Sequence, residues 1–269
     1  MAEIEVEKIG PERAKELLAI NRNRHVRASH VASLARDMSA GRWGSHSVIR
    51  IAQTPDGDVL IDGQHRLLAV IKSGETVQFV VMSGLQLDDQ IDIDTGIRRS
   101  LADTLQLNGE SSVTVIAAAI GHLWRRKRRM YTSNAAPTRS EGLRLLADNP
   151  ALRESITPTS KASLLLKYPH GLGTCLHYEM CGIDSESAWD FWEKLTTGLG
   201  LHERHGIYLL RGRLQENAAA SYRKLDVSHI HALTIKAWNT YMRGTETGVL
   251  KWTRGGATAE AFPELGDGQ

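Results

Sequence analysis

The chain is short of cysteine: Cys175 and Cys181 are the only thiols in 269 residues. Two thiols exclude a disulfide framework, and a reducing cytoplasm is the expected compartment. Long apolar runs are missing too. No stretch approaches the roughly 18 apolar residues of a transmembrane helix, so a membrane is not an expected partner. The opening residues, with Glu3, Glu5 and Glu7, are acidic and alternating and do not fit a secretory signal. Charge of one sign is also scarce. With 33 Lys+Arg against 31 Asp+Glu, the formal net charge is +2, which excludes a uniformly basic nucleic-acid coat. No internal repeat or low-complexity tract is present.

What is present is an ordinary globular composition, 41% apolar, long enough for one large domain or two smaller ones. The charge is uneven. Residues 1–109 carry 13 basic and 15 acidic side chains, and residues 110–269 carry 20 and 16. The second half is therefore the better candidate for a polyanion contact.

The stretch that organises the chain is Asp62-Gly63-Gln64-His65-Arg66. Asp58 to Ile61 before it reads as a strand, and Leu67 to Ile71 after it reads as a helix ending at Gly74. A tight glycine turn between strand and helix gathers unpaired backbone N–H groups and attracts anions. His65 and Arg66 add donors, and the planar guanidinium suits phosphate oxygens. Two readings fit. In one, Asp62 caps the helix and His65 and Arg66 face water. In the other, the turn holds nucleotide phosphates, which explains cationic side chains in a first turn where the helix dipole disfavours them.

The rest of residues 1–109 reads as a small mixed α/β domain. Glu3 to Glu7 alternates as an edge strand does. Pro11 opens a helix with Ala14, Leu17 and Leu18 inward. Ser29 is the expected N-cap of a second helix through Val31, Ala35 and Met38, stopping at Gly41. Thr54-Pro55-Asp56-Gly57 predicts a hairpin, and Thr76 to Met82 a buried strand. Two further polar clusters flank the turn in sequence. Asn21 to Arg24 reads as a solvated loop or as a second clamp through Arg24. Asp92 and Asp94 read as a turn cap and an ion pair with Arg98 or Arg99. The alternative is a carboxylate that holds Mg²⁺ or polarises a hydroxyl. Phosphoryl transfer needs little beyond positioning, charge neutralisation and a base. Ser100 with Asp103 has capping-box spacing and starts the next helix.

These residues carry a resemblance. Asp62-Gly63-Gln64-His65-Arg66-Leu67-Leu68-Ala69 resembles the D-G-x-H-R-x-x-A signature of the ParB/sulfiredoxin superfamily. Asn23-Arg24, Asp37-Met38, Gly41-x-Trp43 and Ile93-Asp94-x-Gly96-x-x-Arg99-Ser100 resemble a branch common in bacteriophage and mobile-element genomes. The similarity covers residues 1–109 and implies a compact α/β nucleotide-binding fold. It implies that Gly63, Gln64, His65 and Arg66 grip phosphates, with Arg24 and Arg99 as further contacts. Relatives of this kind use ATP or CTP. Sulfiredoxins place a catalytic cysteine where Gln64 stands, so their reaction is not expected. Free amino-acid kinases of the superfamily share the core, with an acidic catalyst, and Asp62 matches its Asp. Chromosome-partitioning members, which clamp DNA, favour Arg where His65 stands.

Residues 110–245 read as helical, and residues 246–269 lose periodicity and read as a partly ordered tail. Arg125-Arg126-Lys127-Arg128-Arg129 follows an apolar helix. It is either a set of C-terminal cations matching the helix dipole or a phosphate-backbone contact for nucleic acid. Thr138 and Glu141 repeat the capping-box spacing. Trp189, Phe191 and Trp192 read as core. Cys175, His177 and Cys181 lack paired zinc-ligand spacing and read as buried structural groups.

The expected fold is thus a ParB/sulfiredoxin-like mixed α/β domain followed by an all-α domain. The expected function is NTP-dependent phosphate chemistry, as an NTPase or kinase-like phosphotransferase in phage or mobile-element DNA metabolism. Asp62, His65 and Asp94 are the catalytic candidates, with Mg²⁺ on Asp94. The alternative is a DNA-binding regulator that uses a nucleotide as a switch. Expected partners are a nucleotide, DNA through the helical half, and a second copy of the chain.

Overall fold

The computed structural model describes residues 2–21, 26–86, 100–222 and 224–266. Among the described residues it is a mixed α/β structure with a four-stranded mixed sheet and eleven α-helices. The chain divides into two compact units: Met1–Arg99 with Pro137–Glu141, and Ser100–Ala136 with Gly142–Gln269.

In the first unit, β1 (Glu3–Ile9), α1 (Pro11–Ala19) and α2 (Ala28–Ser39) precede a hairpin of β2 (Val48–Thr54) and β3 (Gly57–Asp62). Then come α3 (Gln64–Ser73) and β4 (Val77–Leu85). The strand order is β1-β4-β2-β3, with β4 antiparallel to β1 and parallel to β2. The hairpin closes as its turn chemistry predicts: Gly57 takes φ +116°, and Thr54 Oγ1 donates to Gly57 O at 2.7 Å.

The three helices and the sheet share one core. Leu17, Val31, Met38, Leu67 and Val70 from the helices meet Ile9, Ile49, Leu60, Phe79 and Val81 from the strands. Each such buried side chain contributes about 1.5–3 kcal/mol before entropy is counted. The start of α2 departs from expectation. Its N-cap is Arg27, not Ser29, and no side chain caps it. Instead the Arg27 backbone N–H donates to His65 Nε2 at 3.0 Å, a contact across 38 residues that local spacing does not reveal.

The Thr138–Glu141 capping box is formed, and its residues cluster with the first unit. Thr138 Oγ1 donates to Asp37 at 2.7 Å, and Arg36 Nε reaches Glu141 at 3.1 Å.

The second unit opens with α4 (Leu101–Leu107), whose Ser100–Asp103 capping box is complete, and α5 (Val113–Arg126). α6 (Arg139–Asp148) straddles the division between the units and ends before Pro150. After it come α7 (Ile156–Leu166), α8 (His170–Cys181), α9 (Ser185–Thr197), α10 (Gly206–Ala219) and α11 (Val227–Met242). α8 is buried over most of its surface, with Leu172, Cys175, Leu176 and Met180 fully covered. Gly171 lets it approach α5 closely, since a Cβ there would lie 2.4 Å from Ala118 Cβ. Phe191 and Trp192 are core, as their sequence context suggests, while Trp189 is half exposed and packs on His177.

Residues 246–266 form no helix or strand, yet they pack. Leu250 and Trp252 are buried, Phe262 stacks on Tyr131, and Trp238 Nε1 donates to Gly266 O. No helix among the described residues is long and apolar enough to cross a membrane.

Candidate functional site

The Asp62–Arg66 turn stands where β3 hands the chain to α3. Gly63 is the N-cap and takes φ +117°, a conformation that side chains disfavour. Space makes the same demand, because a Cβ on Gly63 would lie 2.5 Å from Ile49 Cδ1. The first helical bond runs from Leu67 N to Gly63 O at 3.0 Å. The N–H groups of the first turn therefore precede the helical ladder, and Gly63 has no side chain to cap them.

Charge gathers around this end. Asp62 Oδ2 accepts from Arg50 Nη1 at 2.8 Å and from Arg66 Nη1 at 3.1 Å. Arg66 Nη1 also donates to Val48 O at 2.6 Å, which ties α3 to β2. Two guanidinium groups thus share one carboxylate, leaving a net positive charge at the helix N-terminus. The three side chains are 24–29% exposed, so solvent reaches them. Among the described residues, each arginine bonds here through Nη1 alone, so Nε and Nη2 remain as donors. His65 is fixed differently. Its Nε2 accepts the Arg27 N–H, so the neutral ring carries its proton on Nδ1, and the His30 ring lies 5.2 Å away.

The structure therefore brings Asp62, Gly63, Gln64, His65 and Arg66 together with Arg50, which the sequence reading did not single out. Counting back across the hairpin from Pro55-Asp56-Gly57 sets Arg50 opposite Ile61, and the register shift between Arg50 and Ile51 is what moves it opposite Asp62. Arg24, Asp94 and Arg99 lie outside the described residues. Among the described residues, no group of three or more His, Cys, Asp or Glu side chains is arranged to hold a metal ion.

The basic run divides into two parts. Arg126 is only 8% exposed, pairs with Glu179, and lies 2.9 Å from His231 Nε2. Arg125 donates to Ala135 O at 3.0 Å and lies 3.3 Å from His122 Nδ1. These two residues face inward because α5 is packed on most of its surface. Lys127, Arg128 and Arg129 face solvent, with Arg128 over the Trp124 ring.

Around Arg126 lies a cluster of perturbed groups. Burial pushes His122 down to about 4, and the cations Arg125 and Arg126 push the same way. His231 lies well below its usual range for the same reasons. Burial raises Glu179, against the opposing pull of Arg126. Cys175 is fully buried, and its thiol is pushed well up, chiefly by burial. His177 bonds Ser155 Oγ at 2.9 Å and contacts Cys181 Sγ at 3.5 Å.

A cavity of about 550 Å³ opens beside α10, lined by Leu201, Tyr208, Arg213, Glu216 and Leu250 among others. None of the residues predicted from sequence lines it.

No protein-family model matches this chain, and a search of curated proteins finds no significant match.

Proposed function

We propose that the first unit binds nucleotide phosphates at the Asp62–Arg66 turn and uses them in NTP-dependent phosphate chemistry, on a fold of the ParB/sulfiredoxin type. One observation carries this reading. A helix N-terminus without a side-chain cap sits beside two partly exposed arginines that keep donors to spare over a single carboxylate. An incoming phosphate would take backbone N–H groups from α3 and the remaining N–H groups of Arg50 and Arg66. Asp62 orients both arginines through Oδ2 and leaves Oδ1 for a metal ion or an acceptor hydroxyl. His65 completes the turn beside Arg66, and Asp94 is the second carboxylate of the proposal.

The test is calorimetry with ATP and CTP, with and without Mg²⁺, followed by phosphate release. His65→Ala with Arg66→Ala should lower nucleotide affinity by about tenfold or more, the loss of at least one charge-assisted contact. A folded double variant with unchanged affinity would refute the site.

The solvent-facing Lys127, Arg128 and Arg129 favour a second reading, a DNA-binding regulator switched by the nucleotide. Such binding would be salt-dependent and blind to sequence. Changing these three residues to Gln should flatten the salt dependence. Binding that survives both high salt and that change would exclude the contact.

A further inference from the structure

The strand β1 does not take part in the proposed site. It lies at the edge of the sheet and pairs only with β4, so one row of its backbone groups is without a strand partner among the described residues. Its side chains alternate acidic and apolar from Glu3 to Glu7, and Lys8 then follows on the face of Ile4 and Val6. Ile4 and Val6 are 67% and 62% exposed, an unusual cost for two β-branched residues on one strand. They do not stand alone, because Ile4 is opposite Met82 and Val6 opposite Val80. The four form an apolar ladder running to the free edge. On the other face of the strand, Glu3 and Glu5 are exposed, and their neighbours across the pair are Ser83 and Val81. Neither glutamate has a basic partner among the described residues.

We infer that the free edge of β1 receives an extended segment of another polypeptide that alternates basic and apolar residues. Its backbone would complete the unpaired row, as in β-strand addition. Its apolar side chains would cover Ile4 and Val6, and its Lys or Arg side chains would lie opposite Glu3 and Glu5.

A second copy of this chain fits poorly. An antiparallel β1–β1 pair that keeps each face continuous and overlaps by five residues or more sets glutamate against glutamate: Glu3 opposite Glu7 with Glu5 opposite Glu5, Glu5 opposite Glu7, or Glu7 opposite Glu7. Like charges directly opposite destabilise a pair. The glutamates that guard this edge against self-pairing are the feature that a basic strand would satisfy.

The probe is a short peptide alternating lysine and valine, with a glutamate–valine peptide as its counterpart. Backbone amide exchange on the full chain reads the contact directly. The lysine peptide should protect β1 amides that do not bond to β4, and the glutamate peptide should not. In Glu3→Lys with Glu5→Lys, affinity for the lysine peptide should fall by about tenfold and the preference should reverse. Both positions are exposed, so an unchanged urea midpoint will show that the variant is folded. The inference is overturned if β1 amides gain no protection, or if charge reversal leaves the preference unchanged. It is also overturned if sedimentation shows the free chain dimerising in a way that Glu3→Lys with Glu5→Lys abolishes.

Discussion

Arg50 and Asp62 face each other across the β2–β3 hairpin, with Nη1 of Arg50 2.8 Å from Oδ2 of Asp62. Arg66 reaches the same oxygen from the first turn of α3. One carboxylate therefore joins two strands and a helix. Both pairs are about a quarter exposed, so screening keeps their worth modest. Asp62→Asn should cost about 1 kcal/mol in urea unfolding. It should also free both guanidinium groups, so that metal-free affinity for inorganic phosphate rises. A fall in that affinity would mean that Asp62 does more than orient the arginines.

Gly63→Ala meets two penalties, a positive φ and a clash with Ile49 Cδ1. Together they should destabilise the chain by about 2–4 kcal/mol. Adding Ile49→Val removes the clashing methyl and leaves the backbone strain. The double variant should therefore recover part of the loss in denaturant midpoint. Full recovery would show that φ costs nothing here.

Gln64 opens α3, where a negative side chain favours the helix dipole and repels an anion. Gln64→Glu should hold or raise stability by a few tenths of a kcal/mol while weakening nucleotide binding. This opposition separates a binding site from a merely structural turn. Equal affinity in the stable variant would count against phosphate at α3.

Acid should weaken the second unit. His122 and His177 titrate near 4 in the folded chain, and His231 well below its usual range, all chiefly through burial. Unfolded histidine titrates near 6.5, so the unfolded chain binds more protons as pH falls from about 6.5 toward 4. Stability is full above that window and is lost through it, by about 3 kcal/mol for His122 alone. Glu179 works in the opposite direction, since burial raises it and protonation from just above its ordinary range favours the fold. Three histidines outweigh one carboxyl, so the urea midpoint should drop between pH 7 and pH 5. His122→Gln should make that drop shallower.

Much of the first unit was legible because its signals are local. Gly63 after the strand and the Pro-Asp-Gly turn each fix a backbone conformation within a few residues, as the Ser100–Asp103 capping box does in the second unit. Arg50 needed the fold, because the register counted from the turn sets it opposite Ile61 and the shift between Arg50 and Ile51 moves it opposite Asp62. The Arg27–His65 contact needed the fold, since nothing in local spacing joins positions 38 residues apart. Residues 246–266 looked structureless because periodicity reports regular elements only. Leu250, Trp252 and Phe262 are held by side-chain packing, which follows no period.

The sequence by itself determined the strand–glycine–helix junction at Asp62 to Arg66 and the helical character of most of the chain beyond Ser100. Short-range sterics and hydrogen bonding suffice for both. Only the tertiary structure decided which arginines meet there and which of Arg125 to Arg129 face water. Those outcomes depend on what lies opposite each side chain. A contact between distant parts of the chain is set by packing, and no stretch of sequence contains its own neighbours.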